Sequence, residues 1–363
     1  MIRSSNTFRE ILRAAKILRK ATPIRRSTQP SYAYSSGSIQ KLRLLSMLCS
    51  LLKPRGLYLL RFLRYHRRLP LFRNPSRISD KLALRILDGE ASLRRKQMAD
   101  KLACFELVRG TSPGLRTKQV YAIYDAPEQF SLAPLPERFA LKPNNASGLQ
   151  RLILDKSKES ERELQTVMAR WLKLSYYSAS QEPSYRGIQP KVFAEELTLS
   201  ATDFLPDEFR LYCFYGKVGF IEYEFGQTME ESVFADRNWN RLDVRYKWQP
   251  PVDSIPAPAA LKRAIEAAEK LAAGFDFIRV DLYDLEGELV FNEISNSPWG
   301  GLVRFTPNDA DELLGAYWEG YAAHENTQAD CAFINATGKS ISFPDGEAIT
   351  IMQSARIPEG SRR

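Results

Sequence analysis

The segment FDFIRVDLYDLEGELVFNEISNSPWGG, residues 275–301, sets charged side chains among Phe, Ile, Val and Leu. Strand side chains alternate between faces, so Phe275, Phe277, Arg279, Asp281 and Tyr283 share one face. A three-residue loop, Leu285-Glu286-Gly287, sets Asp284 opposite Glu288, with Gly287 suited to φ > 0. Counting back, Arg279 falls opposite Glu293 and Asp281 opposite Phe291. Arg279, Asp281 and Glu293 then project from one face of a hairpin. Two carboxylates beside a guanidinium suit a divalent metal and a phosphate, because carboxylates hold magnesium while arginine and metal offset phosphoryl charge. The same side chains also fit a structural Arg–carboxylate network on a half-buried sheet.

Three further segments carry residues of related chemistry. LPERFALKPNNASG places Lys142 near the end of an apolar strand, before a small polar loop with Ser147 and Gly148. Backbone N–H groups of such a loop cradle phosphates while lysine meets them as a point charge. A strand lysine before an exposed turn is also commonly just solvated. In Lys191-Val192-Phe193-Ala194-Glu195-Glu196-Leu197, apolar residues lead into paired glutamates. That fits a linker whose backbone edge pairs with adenine, Glu195 or Glu196 accepting from a ribose hydroxyl, and fits equally two exposed glutamates at a strand end. Asp207-Glu208-Phe209-Arg210 runs into the hairpin LYCFYGKVGFIEY and offers Arg210 as another phosphate-facing cation.

The elements that position these residues alternate irregularly, which favours an α+β or α/β mixture over all-α or all-β. Residues 78–108 read as helical. Tyr121–Tyr124, Phe139–Lys142, RLILD and Lys191–Leu199 read as extended. Lys158–Leu174 reads as a helix with Leu164, Val167, Met168, Trp171 and Leu172 along one stripe. Phe209–Glu224 reads as a hairpin with Tyr215-Gly216-Lys217 at its tip, and Ala259–Ala273 as a helix. At 363 residues the chain has room for two or three lobes. With only His66 and His324, any metal site must be built from oxygen ligands, which suits magnesium better than zinc. Cys49, Cys104, Cys213 and Cys331 form no C-x-x-C pair, so free thiols in a reducing cytoplasm are the simpler reading.

Charge is divided unevenly. Residues 1–100 hold 23 Lys and Arg against 5 Asp and Glu, a net of +18, so the rest of this +9 chain carries −9. No acidic residue occurs from Ile11 to Ser79. Residues 1–40 pair a basic helix-prone stretch with a Ser/Thr/Pro-rich tether, a composition expected to be poorly ordered, and their Arg-rich, acid-poor start also fits a mitochondrial transit peptide. In residues 41–68 leucine clusters alternate with Arg and Lys at helical spacing, and Pro54 and Gly56 are expected to split them into two short helices. Those helices either pack with a solvated basic face or lie on anionic lipid. The longest apolar run, Leu44–Leu52, is too short to span a membrane.

In this order, FALKPNNASG, KVFAEEL, and IRVDLY followed by VFNEIS resemble the phosphate-loop strand, adenine linker and paired metal strands of the ATP-grasp superfamily. NPSRISDKLALRILDG, MADKLACFELV, FRLYCFYGKV and FADRNWN are similar to segments of the TupA-like ATP-grasp family, associated with teichuronopeptide and other cell-surface polysaccharide synthesis. The resemblance covers roughly residues 70–320. It implies an α+β ATP-grasp fold, two lobes gripping ATP behind an N-terminal helical region. Its divisions are a basic tail at 1–40, a preceding region at 41–135, a small lobe at 136–200, a large lobe at 201–324 and an extension at 325–363. It implies ATP and Mg2+, with Lys142 and Lys101 on the phosphates, Glu195 or Glu196 near adenine and ribose, and Asp281 and Glu293 on the metal. Where many such ligases read Glu-x-Asn, Ser295 stands in this chain and Asn296 comes one later, leaving the third metal ligand open between them.

The resemblance implies a cytoplasmic carboxylate–amine ligase working through an acyl phosphate, with Lys142, Arg210 and Arg279 offsetting charge at the transferred phosphoryl group. Its partners would be a small-molecule or glycan carboxylate and an amine, with peripheral contact to an anionic membrane and no nucleic acid. A kinase phosphorylating a glycan hydroxyl would use the same nucleotide site without an acyl phosphate. A basic lipid- or nucleic-acid-binding protein with an inactive body is the reading of another class. The presence of Lys142, Arg279, Asp281 and Glu293 argues against the inactive body, and no nucleic-acid fold is recognisable.

Overall fold

The computed structural model describes residues 54–228, 231–327 and two short strands, Ile341–Ser342 and Ala348–Ile349. The expectations for the basic tail, for residues 41–53 and for most of the C-terminal extension lie outside the described residues. Two compact units emerge. One takes the described residues up to Pro70, Leu82–Leu199 and Asn296–Leu302; the other takes Leu71–Lys81, Ser200–Ser295 and the described residues from Val303. No helix among the described residues is long and apolar enough to cross a membrane.

In the first unit, α1 (Pro54–His66) begins at the proline expected to divide residues 41–68, and the half before Pro54 lies outside the described residues. Pro54 occupies its first turn, where a missing N–H costs nothing. Gly56 lies inside it, with open space around its Cα. Its propensity cost of about 1 kcal/mol is outweighed by burying Leu57, Tyr58 and Phe62, each worth about 2 kcal/mol. Tyr58 and Phe62 pack with Ala83, Ile86 and Leu302. The helical stretch that follows breaks into α2 (Ile78–Asp88), α3 (Leu93–Ala99) and α4 (Lys101–Thr111). Ser92 caps α3 and Asp100 caps α4, accepting from Leu102 N and Ala103 N, which is why one periodic run becomes separate helices.

After the two-residue β1 (Arg116–Thr117) come β2 (Val120–Tyr124), β3 (Phe139–Pro143), β4 (Arg151–Ile153) and β5 (Val192–Glu195). The last four form an antiparallel sheet in the order β2-β5-β3-β4. Helix α5 (Glu161–Leu172), capped by Ser160, buries Leu164, Met168 and Trp171 in the cluster that includes Phe139, Leu141, Val192 and Ala194. A short α6 (Tyr176–Ser180) follows it. Strand β5 is hydrogen-bonded on both edges and all four of its residues are buried, so Glu195 enters the interior with it.

The second unit is built on a long antiparallel sheet. Its strands are β6 (Asp207–Phe214), β7 (Lys217–Glu224), β8 (Ser232–Asp236), β9 (Arg245–Tyr246), β10 (Phe277–Leu285), β11 (Glu288–Ser295) and β12 (Phe305–Thr306). Five of them pair in the order β11-β10-β6-β7-β8, and β9 pairs with β12. Helices α7 (Leu261–Ala272) and α8 (Ala310–Thr327) pack on this sheet. Both hairpins close on two-residue turns, Tyr215-Gly216 and Glu286-Gly287, with positive φ at every turn residue. Such turns match the twist of the flanking strands, which a three-residue loop does less well.

That turn corrects the expected β10–β11 register. Leu285 faces Glu288 and Leu282 faces Phe291, then a bulge leaves Asn292 unpaired, so Asp281 faces Glu293 and Arg279 faces Ser295. The shorter turn and the bulge each move the register by one residue. Together they restore the parity that a single shift would have inverted. Arg279, Asp281 and Glu293 therefore do share a face, but the two carboxylates, not Arg279 and Glu293, stand directly opposite one another.

Candidate functional site

In the first unit the chemistry gathers around Glu195. Ala140 and Val120 are its cross-strand partners, one on each side. Lys142, two residues beyond Ala140, and Lys118, two residues before Val120, therefore lean in from opposite edges. Lys142 Nζ lies 2.6 Å from Glu195 Oε1 and Lys118 Nζ lies 3.6 Å away. Glu195 is 1% exposed and Lys118 2%. Burial alone would push the Glu195 carboxyl up; Lys142, Lys118 and Lys101 more than offset it and hold the group below its usual range. Three ammonium groups around one carboxylate leave an excess of two positive charges, a cluster suited to polyphosphate.

The loop after β3 is fixed by Asn144. Its Nδ2 donates to Asp100 Oδ1 at 3.0 Å and to Gln189 O at 3.1 Å, and its Oδ1 accepts from Lys191 N at 2.8 Å. Lys101 N donates to Asn144 O, and Lys101 Nζ donates to Ala146 O. The α4 N-terminus and the loop are thus tied together, with Ser147 half-buried and Gly148 exposed at φ +71°. At the end of β5, Glu196 bonds Arg116 at 2.5 Å and its backbone N donates to Gln119 O. Because β5 spends both edges in the sheet, backbone free to meet an adenine begins only after Glu196. There Thr198 Oγ1 is buried with no hydrogen-bond partner among the described residues, the kind of orphan a nucleotide base would satisfy.

The second unit presents a cross-strand row of charge. Glu293 faces Asp281, Asp281 faces Arg210, and Arg210 faces Glu222, across four strands. Arg279 grips Asp281 with two bonds, 2.7 Å from Nε and 2.5 Å from Nη2, and lies 3.6 Å from Glu293. Arg210 is buried and spent on three glutamates: Glu208 at 2.7 Å, Glu222 at 2.9 Å, and Glu224. Glu222 also accepts from Tyr212 and, at 2.6 Å, from Tyr246. Glu208, Glu222, Glu224, Asp281 and Glu293 against Arg210 and Arg279 leave an excess of three negative charges when all are ionised. Burial pushes Asp281 up to about 8 despite Arg279, with Glu208 and Glu293 adding to the rise. A cation arriving there relieves like-charge repulsion.

The row tests the metal expectation. No cluster of three or more His, Cys, Asp or Glu spaced to hold a metal occurs among the described residues. Asp281 and Glu293 instead supply two hard oxygen donors from adjacent strands. That donor set fits magnesium, which binds through one or two carboxylates and keeps its remaining positions for water and phosphate. Asn296 is buried with its amide engaged by Arg95: Oδ1 accepts from Arg95 Nη1 and Nδ2 donates to Arg95 O, both at 3.0 Å. The bulge falls at Asn292, whose Nδ2 donates to Glu208 Oε1 at 2.5 Å on the charged face.

Sequence reading missed Lys118, Asn144, Asn292 and the glutamates 208, 222 and 224 as site members. Alternation along β6 and β7 does place Glu208, Arg210 and Tyr212 on one face, and Glu222 with Glu224 on another. No local signal says that these two faces are the same side of one sheet, nor that Lys118 reaches Glu195.

A family model for TupA-like ATP-grasp proteins matches residues 80–319. Among solved structures, the chain is similar to D-alanine–D-alanine ligase from Bacillus anthracis complexed with ATP, at 14% identity over 64% of this chain and 67% of that one, TM-score 0.36. It is similar to the corresponding ligase from Helicobacter pylori, at 19% identity over 56% and 55% of the two chains, TM-score 0.34. It is also similar to the ATP-grasp ligase PsnB complexed with a phosphomimetic variant of its minimal precursor, Mg and ADP, at 15% identity over 67% of each chain, TM-score 0.35. The chain thus spans 55% to 67% of the length of these structures. No curated protein matches.

Proposed function

The chain belongs to the TupA-like ATP-grasp family, and on that premise we propose that it is an ATP- and magnesium-dependent carboxylate–amine ligase of cell-surface polysaccharide biosynthesis or modification. Family membership bears out the α+β ATP-grasp fold expected from the sequence. The observation that supports the reading most is the facing pair Asp281 and Glu293 with Arg279 on Asp281, in a row of excess negative charge. The lysine cluster of the first unit supports it separately, as a set of cations suited to polyphosphate.

In this reading Lys142, Lys118 and Lys101 bind ATP phosphates, with backbone groups of the Ser147–Gly148 loop beside them. Glu195 holds the lysine heads in place from below, and Glu196 with Thr198 lies toward adenine and ribose. Asp281 and Glu293 would hold Mg2+, which when bound would supply charge screening at the phosphate. A substrate carboxylate oxygen attacks the γ-phosphorus in line. The bond from that phosphorus to the bridging oxygen breaks, and its electron pair leaves with ADP. Arg279 offsets charge on the transferred group. Arg210, already neutralised by three glutamates, positions Glu208 and Glu222 rather than meeting phosphate. An amine then attacks the acyl carbon, phosphate departs with the carbon–oxygen electron pair, and the amine loses a proton to give an amide.

The carboxylate and amine are small molecules or glycan groups such as uronic acids and amino acids. The enzyme works in the cytoplasm with peripheral contact to an anionic membrane. The test is trapping with hydroxylamine during ATP turnover on uronic acids and amino acids. A hydroxamate formed together with ADP is the expected result. ADP with a phosphorylated hydroxyl and no hydroxamate would instead make the protein a kinase.

A further inference from the structure

The membrane part of that reading can be given a surface. Of the ten large hydrophobic side chains exposed among the described residues, three fall within seven consecutive positions of the first unit: Leu63, Tyr65 and Leu69, the last 53% exposed. Exposed apolar residues scattered singly are ordinary; a run of them is not. Arg64, Arg67 and Arg68 are interleaved with them, and from Ile11 to Ser79 no acidic residue offsets the charge.

This run is not a helix left unpacked. Arg61 Nη1 donates to Ala179 O, Ser180 O and Gln181 Oε1 at 2.8–3.1 Å, and Tyr58 OH donates to Gly300 O at 2.8 Å. His66 Nε2 lies 2.8 Å from Gly301 O and its ring stacks on Phe62. Helix α1 is therefore seated on its unit by its buried side, and its last turn and the chain just after it carry the exposed run.

We infer that the segment from Leu63 to Leu69, in the first unit, rests on an anionic lipid bilayer, its leucines and Tyr65 entering the headgroup boundary while its arginines meet lipid phosphate. The charge pattern selects this occupant. A second copy of the chain would bring arginine against arginine across a two-fold axis. A nucleic acid would satisfy the arginines but not the exposed leucines. A bilayer with anionic headgroups satisfies both, and no spanning helix is required.

The inference rests on the membrane part of the proposed function and not on its chemistry. The full chain is sedimented with phosphatidylcholine vesicles, with and without phosphatidylglycerol. Two variants are compared: Arg67→Ser, and Leu63→Ser with Tyr65→Ser and Leu69→Ser. All these side chains are exposed, so unfolding midpoint and ATP affinity should match the wild type. Binding should require phosphatidylglycerol and weaken as salt rises. The arginine variant should cost about fivefold in partitioning, and the apolar triple at least roughly tenfold. If both variants bind like the wild type, this segment is not the contact, and membrane binding belongs to the chain before Pro54. If the wild type ignores anionic vesicles at low salt, the membrane contact itself falls, while hydroxamate formation still judges the ligase reading. Equal binding to neutral vesicles also overturns the inference.

Discussion

Replacing Glu195 by glutamine removes the carboxylate that Lys142 and Lys118 share while keeping its size. Lys142 at 2.6 Å and the buried Lys118 at 3.6 Å would lose this counter-charge. Removing one member of a buried ion pair costs about 3–5 kcal/mol, because the remaining charge stays buried without compensation. Lys142, with a side chain 11% exposed, can turn partly to water, whereas Lys118 at 3% cannot. The expected loss at neutral pH is therefore about 3 kcal/mol. It should depend on pH in a defined sense. The folded-state pKa of Glu195 is lowered, so its contribution is complete above the unfolded-state pKa, near 4.5, and disappears as pH falls through the lower folded value. Wild type and Glu195→Gln should differ most at pH 7 and converge in acid. Since polyphosphate brings the missing negative charge, ATP should stabilise the variant more than the wild type. Denaturant unfolding across pH, with and without ATP, reads both effects. Equal stability at pH 7, or a gap that does not narrow in acid, would refute the account of Glu195 as counter-ion to the lysines.

Other outcomes follow from the same geometry. Glu293→Gln should abolish ADP formation with little change in stability, because the Glu293 side chain is 34% exposed and 3.6 Å from Arg279; undiminished turnover would remove it from the metal site. Lys142→Ala should weaken ATP binding by about 1.5–3 kcal/mol in calorimetry, the scale of a charge-assisted contact, and unchanged affinity would leave it a structural partner of Glu195 alone. Asn292→Ala should lower stability by about 1–2 kcal/mol through the lost bond to buried Glu208, and should raise the magnesium concentration needed for turnover; no change in either would make the bulge incidental.

Much of the site could be read from local sequence because its logic has a period of two. The apolar and charged alternation in FIRVDLYDL and ELVFNEIS requires strands, and parity alone puts Arg279, Asp281 and Glu293 on one face. Lys142 ahead of NNASG could be found in the same way, and the order of the motifs carried the family and its fold. Partner choice is a different matter. Whether Asp281 faces Phe291 or Glu293 depends on a two-residue turn and a bulge at Asn292, and a turn and a bulge are small local energies settled by which side chains the whole sheet can bury. The neutralisation of Arg210 by Glu208, Glu222 and Glu224 requires β6 to pair with β7 on one edge and β10 on the other, the latter some 70 residues away in the chain. Lys118 reaches Glu195 only because β5 inserts between β2 and β3. In α1, Gly56 is a poor helix former by propensity, and the burial of Leu57, Tyr58 and Phe62 keeps it helical. Periodicity is fixed by the bonds of each residue and is legible along the chain; register, charge pairing and helix docking are set by burial against distant segments, which only the folded structure brings together.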